Sequence, residues 1–300
     1  MAPAYIKAHN TGLLRWKAET AREALRECRL CPRKCGVNRL KNEPGGKCKT
    51  GELAVVASVH PHFGEEAPLV GRNGSGTIFF THCNLNCNFC QNFDISHDGV
   101  GRTVTSTELA TMMINLQRTG CHNINFVTPS HVVPQILTAL EIAVDRGLRI
   151  PLIYNTGGYD RVKTLKLLDG IVDIYMPDFK FWDPAVAAMT CQAPDYPKVC
   201  RRAVKEMHCQ VGDLIVDRDG IARQGLLIRH LVMPQNLAGT REIVHFIATQ
   251  ISVDTYINIM DQYRPCGHAF EIEALNRRIS RSEFREAVRQ AAEKGLFHLD

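Results

Sequence analysis

The 300-residue sequence has no apolar run near the roughly 20 residues that a membrane-spanning helix needs, so no such span is expected. It also lacks any block of like charge. Its 36 Lys and Arg against 31 Asp and Glu give a net +5 spread along the whole length, which leaves a nucleic-acid interface unsupported. The opening residues, Met1 to Lys7, have no basic region followed by an apolar core, so a secretory signal is not expected either. A soluble protein in a reducing, cytoplasmic compartment is the expectation. Hydrophobic residues at 45% and charged residues at 22% are ordinary for a chain that buries a sizeable core. Cysteine, by contrast, is abundant at twelve residues. In a reducing compartment, clustered thiols point to metals before disulfides.

Two cysteine groups have ligand spacing. Cys83, Cys87 and Cys90 are separated by three and two residues and follow the apolar run Thr77 to Thr81. Thiolates are the usual protein ligands of iron-sulfur clusters, one per iron, and here only three lie in reach of one four-iron, four-sulfur (4Fe-4S) cluster. One iron keeps an open position, the feature that separates catalytic metal sites from closed structural ones. A zinc loop or a cluster used only for electron transfer is the alternative, although those sites ordinarily take four protein ligands. The second group is Cys28, Cys31, Cys35 and Cys48, with Pro32, Gly36, Pro44, Gly45 and Gly46 in the intervening turns. Four thiolates suit structural zinc or a second, closed cluster, and spacing does not choose between them. Coordination would stabilise a segment poor in apolar residues. Cys121, Cys191, Cys200 and Cys209 have no ligand spacing and are read as structural.

In chain order, the spacing predicts an amphipathic helix over Gly12 to Glu27 with Asn10-Thr11 as its cap. A β-like run follows over Leu53 to His60, then a Gly- and Pro-rich linker over Gly64 to Gly76. Residues 1–75 are therefore read as an N-terminal helix and a four-cysteine metal-binding segment, 76–260 as a partial barrel, and 261–300 as a C-terminal extension with a helix. Within the second part, near-continuous apolar runs predict strands at Gly76–Thr81, Ile124–Thr128, Ile150–Asn155, Ile171–Pro177, Leu226–Val232 and Thr255–Met260. Helices are predicted at Ser106–Thr119, Val132–Arg146, Asp160–Leu168 and Thr240–Gln250, with one or two between Pro184 and Gln210. Six βα repeats make an α/β fold with an incomplete barrel, because a closed eight-unit barrel typically takes about 250 residues.

Enzymes of parallel sheets carry their sites at the C-terminal strand ends. Polar groups do gather after each predicted strand: the cysteine loop, Thr128-Pro129-Ser130-His131, Asn155-Thr156-Gly157, Asp178-Phe179-Lys180, Met233-Pro234-Gln235-Asn236 and Asp261 to Cys266. His230, beside Arg229 in an apolar strand, is either a satisfied core histidine or a cofactor contact. Tyr263, Arg264 and Cys266 are candidate substrate contacts, Cys266 equally a buried thiol.

The Cys-x3-Cys-x2-Cys loop with Phe89 before Cys90 resembles the signature of the radical SAM superfamily. Longer stretches narrow the likeness: Cys28 to Cys35, Gly74 to Phe80, Cys87 to Asn92, Tyr154 to Tyr159, Asp173 to Lys180 and Met260 to Pro265. In these the chain resembles the glycyl-radical-enzyme activases, above all the PflX-type relatives of pyruvate formate-lyase activating enzyme. The resemblance implies an incomplete (β/α)6 radical SAM barrel with a small cysteine-rich metal-binding segment. It implies a catalytic 4Fe-4S cluster on Cys83, Cys87 and Cys90, with S-adenosylmethionine on the open iron and Phe89 against its adenine. The activases' Gly-Gly-Glu turn for the methionyl amino group is replaced by Thr128-Pro129-Ser130, whose hydroxyls can accept the same hydrogen bonds. Their Asp-Thr-Asn-Gly is matched by Asn155-Thr156-Gly157, without the first acid, and their Asp-x-Lys by Asp178-Phe179-Lys180. By resemblance Lys180 meets the cofactor carboxylate or ribose, and Asp178 with Thr156 helps to bind a monovalent cation. A surface ion pair is the plain alternative for Asp178 and Lys180.

The implied activity is reductive cleavage of S-adenosylmethionine to a 5'-deoxyadenosyl radical that abstracts a hydrogen atom. The implied substrate is a backbone glycine of a partner glycyl radical enzyme, with a low-potential donor such as flavodoxin or ferredoxin. Phe79, Phe80 and Phe89 suit a dry pocket. Radical chemistry on a small metabolite or another peptide is the second enzymatic reading. A cysteine-rich electron-transfer or binding protein is the reading from another class.

Overall fold

The computed structural model describes residues 2–41 and 46–296; Pro44 and Gly45, expected in a turn, lie outside the described residues, as does the end of the C-terminal extension. Two helices open the chain, α1 (Ala4–Asn10) and α2 (Leu13–Glu23), where one was expected. Gly12 separates them at φ 76°, and as the N-cap of α2 it replaces the expected Asn10-Thr11 cap without any side-chain hydrogen bond. Glycine reaches this left-handed conformation at little steric cost.

These helices pack on the barrel. The Ala4 N–H donates to Asp173 Oδ1 at 2.7 Å and the Tyr5 hydroxyl to the Ile150 carbonyl at 2.8 Å. After the cysteine-rich turns, β1 (Ala54–His62) runs antiparallel to β2 (Ser75–Phe80), so the expected boundary near residue 75 falls at the start of a strand of the main sheet. The stretch read as a linker holds α3 (Ala67–Val70), whose Leu69 is fully buried. Gly and Pro misled there because Pro68 sits in the first turn of this short helix, where its missing N–H costs nothing.

The remaining elements follow in order. They are β3 (Arg102–Val104), which pairs antiparallel with β1, then α4 (Ser106–Arg118), β4 (Ile124–Val127), α5 (Val133–Asp145) and β5 (Leu152–Thr156). Next come α6 (Val162–Leu165), β6 (Ile174–Pro177), α7 (Pro184–Cys191), α8 (Tyr196–Val211) and the two-residue β7 (Ile215–Val216). The chain closes with β8 (Ala222–Leu231), α9 (Thr240–Gln250), β9 (Tyr256–Met260) and α10 (Arg281–Ala292). The six expected strands are β2, β4, β5, β6, β8 and β9, and each neighbouring pair is parallel. Register aligns Phe79 with Val127, Val127 with Asn155, and Asn155 with Met176, which brings the strand ends to one rim.

Local chemistry explains the helix starts. α4 opens on a capping box in which Thr105 and Glu108 exchange hydrogen bonds, and α10 repeats it with Ser280 and Glu283. Asp183 caps α7 by accepting from Ala185 and Val186. The expected Asp160–Leu168 helix shrinks to the four residues of α6 because Asp160 turns inward, as described below. The sheet's inner face is filled by Leu69 of α3 with Ile153, Ile174, Met176 and Leu227. The outer face packs under the helices in the larger core. Among the described residues no helix is long and apolar enough to cross a membrane.

Candidate active site

At the C-terminal rim lies a cavity of about 660 Å³, lined by Cys83, Cys87, Cys90, Phe89, Thr128, Asn155, Thr156, Asp178, Lys180 and Tyr263, among others. The loop carrying the three cysteines leaves β2 through His82 and Asn86, both with positive φ, a conformation that folds the chain back on itself within a few residues. Backbone and side-chain bonds hold that shape. The His82 N–H donates to the Ile95 carbonyl at 3.0 Å, the Asn88 N–H to Thr190 at 2.9 Å, and the Asn84 amide to Tyr159 at 2.8 Å. Within the loop, the Leu85 N–H donates to Cys83 Sγ at 3.3 Å.

Burial raises all three of these thiols. It pushes Cys83 up to about 12 and raises Cys90. Cys87 is raised first by its hydrogen bond with Cys191, whose Sγ stands 3.3 Å away, and then by burial. Cys191, read from spacing as structural, is therefore a neighbour of the candidate cluster loop. Three thiols on one short loop facing the cavity fit a three-ligand cluster, which would take them as thiolates and release their protons. Among the described residues no three His, Cys, Asp or Glu side chains already converge on a metal-sized point.

Lys180 and Asp178 reach the same cavity from the end of β6, Nζ to Oδ2 at 2.5 Å, with side chains only 17% and 24% exposed. The surface-pair alternative is thereby set aside. Burial disfavours the Lys180 charge, but Asp178 and then Cys87 outweigh it and hold the ammonium protonated. Thr156 is committed elsewhere: its hydroxyl donates to Asp160 Oδ2 at 2.5 Å and meets Ser130 Oγ at 2.9 Å. The expected pairing of Thr156 with Asp178 around a cation is not what the side chains make. Ser130, 2% exposed, stands behind Thr156 and does not line the cavity, whereas Thr128 does, at φ 59°.

His230 is fully buried, with Nδ1 2.8 Å from the Phe179 carbonyl and Nε2 2.9 Å from Thr240 Oγ1. Burial lowers it to about 4, so it is a neutral core histidine and not a cavity group. Tyr263 lines the cavity, its ring tilted 55° to that of Phe89 at 6.2 Å, while its hydroxyl donates to the Leu275 carbonyl at 2.7 Å. Arg264 and Cys266 lie outside the lining, Arg264 exposed and Cys266 half-buried.

No family model matches the sequence. The uncharacterized protein MJ0674 of Methanocaldococcus jannaschii is 32% identical over 300 residues, an alignment covering 97% of this chain and 81% of that one. The chain belongs to the family of that archaeal protein. Among solved structures, the crystal structure of HydG, a maturase of the [FeFe]-hydrogenase, shares the fold with a TM-score of 0.51 at 12% identity. The likeness covers 75% of this chain and 50% of HydG, so the chain spans about half of HydG's length. The shared fold is the partial α/β barrel expected from the radical SAM resemblance.

In this family member, sequence reasoning passed over two groups. Asp160 accepts from Thr156 and, at 2.9 Å, from the Tyr154 hydroxyl beneath the cavity rim. Glu65 and Glu66, placed by sequence in a linker, reach into the barrel. Arg229 donates to both Glu66 oxygens at 2.6 and 2.7 Å and also to Glu65, Asn258 donates to Glu66 at 2.9 Å, and Asn125 donates to Glu65 at 3.0 Å. These residues, Asn125 apart, line the cavity floor. The only available signal was the adjacency of two carboxylates before Ala67 and the arginine within an apolar strand.

The N-terminal cysteines lie in tight turns. The Cys28 N–H donates to Val37 O and the Gly36 N–H to Cys28 O, both at 2.9 Å, and the Lys34 N–H donates to Cys31 O at 3.1 Å. Cys28, Cys31 and Cys48 are buried and Cys35 is exposed. Burial pushes the Cys31 thiol up to about 12, and the neighbouring thiols of Cys48, Cys28 and Cys35 add to this.

Proposed function

We propose that this chain is a radical S-adenosylmethionine enzyme whose catalytic cluster is held by Cys83, Cys87 and Cys90. The observation that carries the reading is the placement of these three thiols, from one loop, at the C-terminal mouth of a parallel barrel and facing the cavity that holds Lys180 and Asp178. A 4Fe-4S cluster held there by Cys83, Cys87 and Cys90 would supply one-electron reducing chemistry to a bound sulfonium cofactor.

The chain's own residues do the positioning. Lys180 presents a fixed positive charge to the methionyl carboxylate, with Asp178 keeping it charged and aimed. Thr128 and Asn155 offer acceptors for the amino group. Phe79, Phe89 and Tyr263 line the cavity with apolar surface that excludes water from a reactive species.

The favoured substrate is a backbone glycine in a glycyl radical enzyme, with flavodoxin or ferredoxin as donor and the cytoplasm as compartment; motif resemblance supports this. Cys28, Cys31, Cys35 and Cys48 are read as ligands of zinc or of a second cluster, supported by their spacing and shared turns. The test is anaerobic reconstitution with iron and sulfide, reduction by dithionite and addition of S-adenosylmethionine. Release of 5'-deoxyadenosine is expected, abolished by Cys87→Ala and only weakened by Cys31→Ala. An inert wild-type chain carrying a full cluster would overturn the reading.

A further inference from the structure

Arg33 lies between Cys31 and Cys35, yet every donor it uses is spent on the cluster loop and the helix beside it. Nε donates to the Asn84 carbonyl at 2.9 Å and Nη2 to Leu85 at 3.2 Å. Nη2 also donates to Cys191 at 2.8 Å and Nη1 to Gln192 at 2.5 Å, at the C-terminal end of α7. The guanidinium sits 5.2 Å over the Tyr159 ring. Carbonyls at a helix end have no intrahelical donor and carry partial negative charge, so a planar cation with five N–H groups suits them. One side chain thus ties the N-terminal cysteine turn to both walls of the candidate cluster loop.

A second arginine bears on what holds that turn. Arg39 is 1% exposed, with Nε on the Gly51 carbonyl at 3.1 Å, Nη1 on His131 O at 2.8 Å and Nη1 3.8 Å from Cys28 Sγ. Its Nη2 is buried without a partner, and among the described residues no carboxylate pairs with it. A buried cation costs several kcal/mol unless an anion stands near it. Four thiolates on a divalent metal, or on a cluster, leave net negative charge at Cys28 and supply that anion. The apolar support of this turn is otherwise small, being Leu25, Leu30 and Cys28 with a few half-buried neighbours.

We propose that Cys28, Cys31, Cys35 and Cys48 bind a tetrathiolate metal centre that braces the catalytic loop, with Arg33 as the positioning residue that transmits the brace. This rests on the reading of residues 83–90 as the cluster loop. The metal fixes the backbone on both sides of Arg33, and Arg33 fixes the carbonyls of Asn84 and Leu85 between Cys83 and Cys87.

The test uses the full chain with Cys83, Cys87 and Cys90 replaced by Ala, so that the N-terminal four are the remaining cysteines with ligand spacing. The metal-free protein is given zinc(II), or iron(II) with sulfide, desalted, and followed by amide hydrogen exchange. One retained equivalent of zinc assigns a mononuclear centre, and iron with acid-labile sulfide assigns a cluster. Amide exchange over residues 84–91 is expected to slow about tenfold on metal binding while α10 is unchanged. With Arg33→Ala added, the metal is still retained but the slowing disappears; Arg33→Lys, which cannot fork to four carbonyls, restores only a fraction of it. With the catalytic cysteines present, Arg33→Ala is expected to alter the EPR signal of the reduced cluster. No retained metal, retained metal without slowing, or slowing that persists in Arg33→Ala would each overturn the brace. Loss of deoxyadenosine release with metal-dependent slowing intact would sink the radical reading alone.

Discussion

The sulfur of Cys191, the last residue of α7, stands 3.3 Å from that of Cys87 in the cluster loop. Both are buried, and their sulfurs are already in contact. Cluster-free protein treated with oxidised glutathione is expected to close a Cys87–Cys191 disulfide. Two thiols give up two protons and two electrons, and the glutathione disulfide leaves as two thiols. Peptide mapping should find this cross-link, and reconstitution should then fail until a reductant is added. Cys191→Ser should escape the block; equal inhibition in that variant would refute the prediction.

Lys180 is the one ammonium group lining the cavity among the described residues. Lys180→Met is expected to weaken S-adenosylmethionine binding to the reconstituted protein by about 10- to 100-fold, the worth of a hydrogen bond to a charged group. Asp178→Asn should have a smaller effect, because Lys180 keeps its N–H donors and loses only the carboxylate that favours its charge. Calorimetric titration checks both, and unchanged affinity in Lys180→Met would remove this residue from the carboxylate site.

The floor of the cavity depends on Arg229. Replacing it with Met leaves Glu65 and Glu66, whose side chains are 6% and 1% exposed, without their cation. A loss of about 3–5 kcal/mol of stability is expected. Adding Glu65→Gln and Glu66→Gln should recover most of it, because the uncompensated charge is what costs. Urea denaturation of the three chains decides; a triple variant no better than Arg229→Met would mean that packing, not charge, is lost.

Asp173 links the first helix to the barrel and carries a pH signature. Burial pushes its carboxyl up to about 7, against the pull of the Ala4 and Leu152 N–H groups that donate to it. An acid whose folded value is raised binds its proton more tightly when folded, so its stabilisation is complete below about pH 4 and fades as pH rises through about 7. Relative to Asp173→Asn, the wild type should lose stability across that window, by up to about 1.4 kcal/mol per pH unit. Parallel stability profiles for the two chains would contradict this.

Much of the fold was legible because it depends on local pattern. Continuous apolar runs located all six parallel strands, and α9 falls on the expected Thr240–Gln250. The cysteine loop was legible for the same reason, since ligand spacing is a property of neighbours in the chain. His230 and Asp160 were not. A histidine in an apolar strand and an aspartate before a short helix give no local sign of whether they face a cavity or a carbonyl. The partners that decide it, Phe179, Thr240, Tyr154 and Thr156, come into place only when strands pack.

By itself the sequence determined the alternation of strand and helix, the two thiol groups and the rim where polar residues collect. Periodicity, capping and ligand spacing all act over a few residues, so they survive without a third dimension. Only the tertiary structure decided that Glu65 and Glu66 enter the barrel, that Cys191 meets Cys87 and that Arg33 grips the loop. Each of those contacts joins residues far apart in the chain, and burial and electrostatic pairing are set by distance in space.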